Sequence, residues 1–193
     1  MDQRPLFDAA EAPPLLPPGG RYEEGFLTPA EQAHWLEVVR AVPLAHADYK
    51  GHTARRRVAS FGGRYDFDAH RLDPAPPLPP ALWPLRDRVA AWMGVAPQAL
   101  VQALVAEYAP GTPLGWHRDV PDFERIAGVS LGTPAVLCLR PWPPTPGGRV
   151  CRWSVAPGSV YELAGSARWG WQHQVPPVPD WRWSVTFRTA REQ

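Results

Sequence analysis

Residues 181–188, Trp181-Arg182-Trp183-Ser184-Val185-Thr186-Phe187-Arg188, alternate between large apolar and polar side chains along their whole length. This alternation is typical of a β-strand, because successive side chains point to opposite sides of a sheet. The apolar face is predicted to lie under helices. The polar face, with Arg182 and Arg188, is then predicted to face a barrel interior, where buried guanidiniums require an anionic partner. The alternative is an exposed edge strand with solvated arginines.

The rest of the C-terminal half continues as short β-type runs separated by Pro and Gly turns. Closely spaced short strands favour a sandwich or jelly roll over a βαβ fold. The predicted strands are 101–108, 126–131, 135–140, 149–155, 159–163, 168–173 and 181–188.

The N-terminal half contains two predicted helices. Thr28-Pro29-Ala30-Glu31 has the pattern of a capping box, and apolar residues at helical spacings follow until Pro43. A second helix is predicted from about Ala81 to Met93. Helices first and strands afterwards indicate an α+β fold class, with the helices packed on one outer sheet face.

The chain length of 193 residues suits one domain. Residues 1–20 are rich in Pro, Ala and Gly and are expected to form a flexible arm, which leaves 21–193 as the domain and 100–190 as its strand-rich core. Region 44–70 contains the run Arg55–Arg57 and the stretch Phe61-Gly62-Gly63-Arg64-Tyr65-Asp66-Phe67. Its double glycine is typical of a hairpin turn or a mobile loop.

Composition places few limits on function. The formal net charge is +1, so global charge does not argue for nucleic acid, although a local patch can still bind phosphates. No apolar run approaches the roughly 18 residues of a membrane helix, and the N-terminus does not resemble a secretory signal. Cys138 and Cys151 cannot form a disulfide framework. A cytoplasmic, monomeric protein is expected.

His117, Asp119 and His173 are the candidate metal ligands. Two imidazoles and one carboxylate make up the facial set that holds non-haem Fe(II) and leaves coordination positions open. His117 and Asp119 are expected on the same side of an extended segment, and His173 on a later strand. Each residue alone is more typical of an ordinary turn or an interior histidine.

Four motifs in this order resemble the AlkB family of Fe(II)- and 2-oxoglutarate-dependent dioxygenases over roughly residues 25–190. The motifs are Glu107-Tyr108-Ala109-Pro110-Gly111, His117-x-Asp119, Ser166-Ala167-Arg168-x-x-Trp171-x-His173 and Arg182-x5-Arg188. Residues 61–67 are also similar to the family's substrate lid. The resemblance implies a double-stranded β-helix (jelly roll) in which region 44–70 carries the lid.

The resemblance also implies a role for each residue of the site. Arg182 would pair with the C5 carboxylate of 2-oxoglutarate, Tyr108 would hydrogen-bond the same end, and Arg188 would stand near the C1 carboxylate. The implied reaction uses O2, decarboxylates 2-oxoglutarate and hydroxylates a C–H bond, and a hydroxylated N-methyl group is lost as formaldehyde. The implied iron ligands are His117, Asp119 and His173.

Three places depart from the family pattern. Ala106 stands where many members have an asparagine that also contacts the co-substrate, so one hydrogen bond is lost or replaced. Val120 and Pro121 follow the HxD motif where repair members often carry an acid that reads the base, and Asp122 is the nearest acid. Gln174 replaces the common glycine after the distal histidine.

The expected function is demethylation of N-alkylated bases in DNA or RNA, as in alkylation damage repair, on a single strand or a flipped base. Two other interpretations stay open: the same chemistry on a protein or small molecule, and a catalytically idle barrel that binds a metal or an anion. The lid aromatics and arginines also suit ordinary packing and a solvated face. The candidates are Phe61, Tyr65, Phe67 and Trp116 for base stacking, and Arg55, Arg56, Arg57 and Arg64 for phosphate contacts.

Overall fold

A computed structural model describes residues 16–49, 52–66, 69 and 71–191 of the chain. The predicted capping box begins the first helix, since Thr28 Oγ1 accepts from the Glu31 amide at 3.3 Å and the Glu31 carboxylate accepts from the Thr28 amide at 2.8 Å. Two 3-10 turns, Pro80–Leu82 and Pro97–Ala99, flank the second helix. The α-helices of the described residues are α1 (Pro29–Arg40), α2 (Trp83–Met93) and α3 (Gly165–Trp169).

Thirteen strands of the described chain pair in antiparallel fashion into three sheets. They are β1 (Gly20–Glu23), β2 (Ala45–Tyr49), β3 (His52–Phe61), β4 (Gly63–Asp66), β5 (Arg71–Pro74), β6 (Leu100–Tyr108), β7 (Leu114–His117), β8 (Phe123–Gly132), β9 (Ala135–Pro141), β10 (Cys151–Val155), β11 (Val160–Leu163), β12 (Trp171–Val175) and β13 (Arg182–Ala190). The larger sheet has the order β1-β11-β8-β13-β6-β3-β2, and the smaller sheet has the order β10-β9-β12-β7. Strands β4 and β5 form a separate hairpin.

Two apolar clusters define the layers of the fold. The helix-side cluster lies between α1, α2 and the larger sheet and includes Leu85 and Phe187. The barrel cluster lies between the larger and smaller sheets and includes Tyr108 and Leu139. Helices on one outer face of a two-sheet barrel are the predicted α+β arrangement of a double-stranded β-helix, and this prediction is confirmed.

Strand β13 lies inside the larger sheet and separates the two clusters. It pairs with β6 on one side and β8 on the other, so it is not an edge strand. Trp183 and Phe187 point into the helix-side cluster, and Arg182 and Arg188 are buried on the opposite face, as predicted. Trp181 departs from the predicted apolar face, since it precedes the strand, is 45% exposed and stacks on Trp183.

Secondary structure differs from the prediction in two regions. The predicted strand 168–173 is wrong in its first half, because Gly165–Trp169 form α3 and β12 begins only at Trp171. Region 44–70 also contains strands, of which β2 and β3 extend the larger sheet through pairing of β3 with β6. The predicted turn is present between β3 and β4, where Gly62 has φ +77° and a Cβ would lie 2.2 Å from the Val101 carbonyl oxygen.

No helix in the described residues is long and apolar enough to cross a bilayer. Cys138 and Cys151 are both free thiols. Residues 1–15 of the predicted arm and Phe67 of the predicted lid lie outside the described residues.

Candidate metal and co-substrate site

His117, Asp119 and His173 meet beside strands β7 and β12. His117 ends β7 and pairs directly with His173 in the middle of β12, and the two ring centroids are 4.2 Å apart. Asp119 follows the end of β7, and one potential ligand atom from each residue lies within 4.8 Å of the other two. The structure therefore brings the three predicted residues together, although Asp119 lies beyond the extended segment on which it is expected.

Both imidazoles are held in their neutral form. Burial is the main cause that lowers the pKa of His117. Burial, helped by the neighbouring His117, lowers the pKa of His173 to about 3. Nδ1 of His117 is 2.8 Å from the Gly115 carbonyl oxygen, an arrangement that favours a proton on Nδ1 and leaves the Nε2 lone pair for a metal.

Asp119 is held as a carboxylate by the surrounding cations. Burial raises the pKa of this carboxyl, but the Arg188 guanidinium, with Arg168 further away, outweighs burial and places the pKa of Asp119 well below its usual range. Arg188 Nη2 donates to Asp119 Oδ1 at 3.2 Å, and Arg188 Nη1 donates to Gln102 Oε1 at 2.6 Å. Gln102 Nε2 donates in turn to the Gly63 carbonyl at 3.3 Å. The start of β4 is thereby connected to the Asp119 carboxylate.

Arg168 holds the backbone that carries Asp119, a role that motif spacing alone does not reveal. The residue is 3% exposed. Its guanidinium donates to the carbonyls of Asp119 at 3.2 Å, Val120 at 2.7 Å and Phe123 at 3.0 Å. Because one side chain satisfies three carbonyls of the same segment, it determines where the carboxylate lies. The sequence signal for Arg168 is its place in the motif that ends at His173.

Arg182 and Tyr108 lie side by side on β13 and β6. The guanidinium carbon of Arg182 is 5.0 Å from the Tyr108 ring centroid, and its Nε donates to Ser130 Oγ at 3.3 Å. Arg182 is 2% exposed and forms no salt bridge with any described carboxylate. Burial raises the pKa of Tyr108, but the Arg56 and Arg182 guanidiniums outweigh it, and the net direction is downward. These groups favour an anion beside the phenol.

Tyr161 is a further aromatic residue near the site that the sequence does not single out. It lies on β11 opposite Gly128 of β8, and a Cβ at Gly128 would come within 2.5 Å of the Tyr161 ring. The glycine therefore provides the space in which the ring packs against the barrel cluster. Burial raises the pKa of Tyr161 to about 12, so its hydroxyl stays protonated.

The lid candidates lie in different places. Phe61 packs against the helix-side cluster rather than facing the histidines. Arg64 and Tyr65 lie on the β4–β5 hairpin, where Arg64 is exposed and Tyr65 is half-buried. Trp116 precedes the first histidine of the cluster and points to the outer face of the smaller sheet, where the Arg140 guanidinium carbon is 4.3 Å from its ring centroid. Phe61 and Trp116 therefore lie on faces other than the one that carries the two histidines.

The donor chemistry of the cluster fits a non-haem iron site. Two neutral imidazoles and one carboxylate are the facial set typical of Fe(II) oxygenases. Catalytic zinc sites also use such ligands, but the buried guanidinium of Arg182 adds a place for an acidic co-substrate. The residues present therefore fit both Fe(II) and 2-oxoglutarate.

The family model of the 2OG-Fe(II) oxygenase superfamily, 2OG-FeII_Oxy_2, matches residues 19–188. The chain belongs to this superfamily. Membership identifies an oxidoreductase and gives Fe(II) and 2-oxoglutarate as its cofactors, as predicted.

Two curated relatives resemble this oxygenase in sequence. It is 26% identical over 175 residues to the tRNA (carboxymethyluridine(34)-5-O)-methyltransferase alkbh8 of Xenopus tropicalis, which covers 85% of this chain and 26% of that protein. It is 32% identical over 102 residues to an uncharacterised protein of Acanthamoeba polyphaga mimivirus, which covers 46% of this chain and 48% of that protein. The oxygenase thus spans between a quarter and a half of the length of these relatives.

Solved structures share the fold. OsALKBH1 matches with a TM-score of 0.74 at 15% identity, covering 91% of this chain and 98% of that one. A Pseudomonas putida prolyl-4-hydroxylase matches with a TM-score of 0.64 at 15% identity, covering 90% and 93%. The likeness to OsALKBH1 is one of fold, and the family model and the alkbh8 match bear out the predicted resemblance to the AlkB family.

Proposed function

We propose that this oxygenase is an Fe(II)- and 2-oxoglutarate-dependent dioxygenase that removes alkyl groups from nucleobases of DNA or RNA. The observation that carries the oxidative part is the cluster of two imidazoles and a carboxylate within 4.8 Å, beside the buried Arg182. We assign His117, Asp119 and His173 as the iron ligands. The neutral imidazoles and the charged carboxylate are the protonation states that metal binding requires.

We assign Arg182 and Tyr108 to the C5 carboxylate of 2-oxoglutarate, because a planar guanidinium and a phenol can donate to both of its oxygens. Arg188 pairs with Asp119 and keeps it ionised, and we assign it to the C1 carboxylate that a bound co-substrate would present. The apolar barrel cluster excludes water around these groups. When bound, Fe(II), O2 and 2-oxoglutarate convert an N-methyl C–H bond to C–OH with release of succinate and CO2, and the hydroxymethyl group leaves as formaldehyde.

The outer side of the smaller sheet supports a nucleic-acid substrate. Arginines and tryptophans pair there: Arg140 stacks on Trp116 at 4.3 Å, and Arg118 stacks on Trp142 at 4.9 Å. Arg152 extends the positive charge along β10 and is exposed. Phosphates bind to such guanidiniums, and unstacked bases bind to aromatic rings. We call these five residues the arginine face.

The part of the arginine face on and beside β9 and β10 has almost no compensating negative charge in the sequence. Between Glu124 and Asp180 the sequence contains one acidic residue, Glu162, which is buried in salt bridges with Arg21 and Arg125. The arginine face also begins beside the candidate metal ligands, because its members Trp116 and Arg118 flank His117 in the chain. The relative from Xenopus tropicalis, named for a reaction on tRNA, supports the same substrate class.

Formaldehyde and succinate release test the proposed function. The oxygenase is incubated with Fe(II), O2 and 2-oxoglutarate and with single-stranded DNA and RNA that carry N1-methyladenine or N3-methylcytosine. For at least one oligonucleotide, we expect the amount of formaldehyde released to rise together with the amount of succinate. Succinate without formaldehyde across the panel would assign the chemistry to a protein or small-molecule substrate. Absence of succinate in all reactions would support the alternative of a catalytically idle barrel that binds a metal or an anion.

Removing charge from the arginine face is expected to weaken oligonucleotide binding. Arg140→Gln combined with Arg152→Gln should raise the dissociation constant and reduce the salt slope by about 0.7 for each phosphate that is no longer neutralised. Fluorescence anisotropy at several salt concentrations measures both quantities. The control is Arg40→Gln combined with Arg86→Gln, since these arginines also stack on tryptophans but lie on the helices. Equally weakened binding in both double variants would contradict the assignment of the face.

A further inference from the structure

We propose that Arg56 is a third side chain that binds the distal carboxylate of 2-oxoglutarate and supplies a hydrogen bond that Ala106 cannot make. This inference rests on the proposed function, since it adds one residue to the proposed co-substrate site. Arg56 belongs to a run of three arginines, and the sequence does not indicate which of the three faces the barrel.

Strand register places Arg56 next to Tyr108. Strand β6 lies between β13 and β3 in the larger sheet. Arg182 pairs with Tyr108 from the β13 side, and Arg57 pairs with Glu107 from the β3 side. The two strands are antiparallel, so one step back along β3 corresponds to one step forward along β6. Arg56, which precedes Arg57, therefore lies opposite Tyr108, which follows Glu107. Two guanidiniums and one phenol therefore form a row across three strands.

Side-chain direction separates Arg56 from its neighbour. Arg57 makes a bidentate ion pair with Glu107, with N–O distances of 2.7 and 3.0 Å. Successive side chains of a strand point to opposite faces, so Arg56 points to the barrel side. Val58, two residues further on, packs against the barrel cluster and confirms this parity. The Arg57 charge is thus satisfied, and Arg57 does not face the co-substrate site.

The charge balance around Arg56 leaves room for an anion. Its guanidinium lies near enough to the Tyr108 hydroxyl to lower the pKa of that phenol, in agreement with the strand register. Among the described residues, neither Arg56 nor Arg182 forms a salt bridge with a carboxylate, in contrast to Arg57 and Arg188. A carboxylate has about four acceptor positions, enough for both guanidiniums and the phenol.

Ala106 on β6 is the reason why a donor from the neighbouring strand β3 is needed beside Tyr108. Ala106 is 1% exposed and pairs with Val58 of β3 on the same inner face. A methyl group at this position packs in the barrel cluster and donates no hydrogen bond. The longer side chain of Arg56 then supplies the donor from the neighbouring strand.

A substrate phosphate is the competing ligand for Arg56. The co-substrate is favoured because Arg56 lies opposite Tyr108, which is only 3% exposed, so an acceptor shared by the two would lie inside the barrel. A phosphate on a nucleic-acid backbone remains near solvent, where the arginine face is available.

Calorimetric titration of the Mn(II)-loaded protein with 2-oxoglutarate tests the assignment. Arg56→Met is expected to raise the dissociation constant about 10- to 100-fold, the range for losing a charge-assisted hydrogen bond. Arg56→Lys should recover part of the affinity because it keeps a cation. Arg57→Met is the matched control and should bind 2-oxoglutarate like the wild type, since its side chain points to the other face.

A ligand that lacks the distal carboxylate makes the test specific. The dissociation constant for 2-oxobutyrate should be the same in the wild type and in Arg56→Met, whereas that for 2-oxoglutarate should differ. Equal effects on both ligands would show a structural role and overturn the inference. Unchanged 2-oxoglutarate affinity with weaker oligonucleotide binding would assign Arg56 to phosphate instead. Failure of the wild type to bind 2-oxoglutarate at all would overturn the proposed function itself.

Discussion

Asp119→Ala is expected to reduce succinate formation by more than about 100-fold. Removing an outer partner of a metal ligand typically costs about 10- to 100-fold, and loss of the anionic ligand itself should exceed that range. The fold should survive, because Arg188 keeps Gln102 as an acceptor at 2.6 Å. Titration with Fe(II) under anaerobic conditions, followed by the succinate assay, measures metal binding and turnover separately.

Asp122→Ala is the matched control for Asp119→Ala. Asp122 is the next acid in the chain, and it does not belong to the metal cluster. We expect its Fe(II) affinity and succinate formation to remain at the wild-type level. Unaltered Fe(II) affinity in Asp119→Ala would show that the carboxylate is not a ligand, whatever the effect on turnover.

Arg168→Met is expected to lower both stability and metal affinity. The substitution leaves three carbonyls of the 119–123 segment, one of them buried and two partly buried, without their shared donor. Loss of such charge-assisted hydrogen bonds costs about 3 kcal/mol, which for a chain of this size corresponds to a fall in Tm of about 6–12 °C. Because Asp119 then loses its fixed position, Fe(II) affinity should fall about 10- to 100-fold. Thermal unfolding of the metal-free protein and Fe(II) titration measure the two effects.

Arg191→Met is the control that separates the hydrogen bonds of Arg168 to the backbone from its stacking on Trp169. The guanidinium carbons of Arg168 and Arg191 lie 4.2 and 4.4 Å from the Trp169 ring centroid, but only Arg168 donates to the carbonyls of the ligand segment. We expect Arg191→Met to change Tm by a few degrees at most and to leave Fe(II) affinity unchanged. A fall in Tm without a fall in Fe(II) affinity for Arg168→Met would mean that the segment keeps its position by other interactions.

The sequence predicts the parts of the fold in which side-chain periodicity and burial agree. Strand β13 is recognisable because one face packs under helices and the other lines the barrel. By contrast, α3 has five residues, too few to show a helical period, and the strand predicted there is wrong. Strand β7 has four residues and is not recognisable for the same reason.

The sequence predicts those residues of the candidate site that belong to a motif. It does not predict the residues whose role depends on tertiary contacts. The metal cluster follows from motif spacing. The position of Arg168 depends on three carbonyls of a distant segment, and the role that we propose for Arg56 depends on the register between β3 and β6. The alternation of side chains along a strand also predicts the direction of Trp116. Its neighbour His117 faces inward, so Trp116 must face outward. The aromatic residue beside the ligand therefore belongs to the outer face.

Strand β13 also makes the packed core and the reactive centre inseparable. Because tryptophan, valine and phenylalanine alternate with arginine, serine and threonine along this strand, a slip of one residue would exchange the two sets and place guanidiniums under the helices. A chain that has buried its apolar side has therefore also aligned Arg182 and Arg188. Insertions or deletions inside β13 should consequently produce unfolded protein rather than a stable inactive enzyme, and folded variants that lack activity should have defects of chemistry.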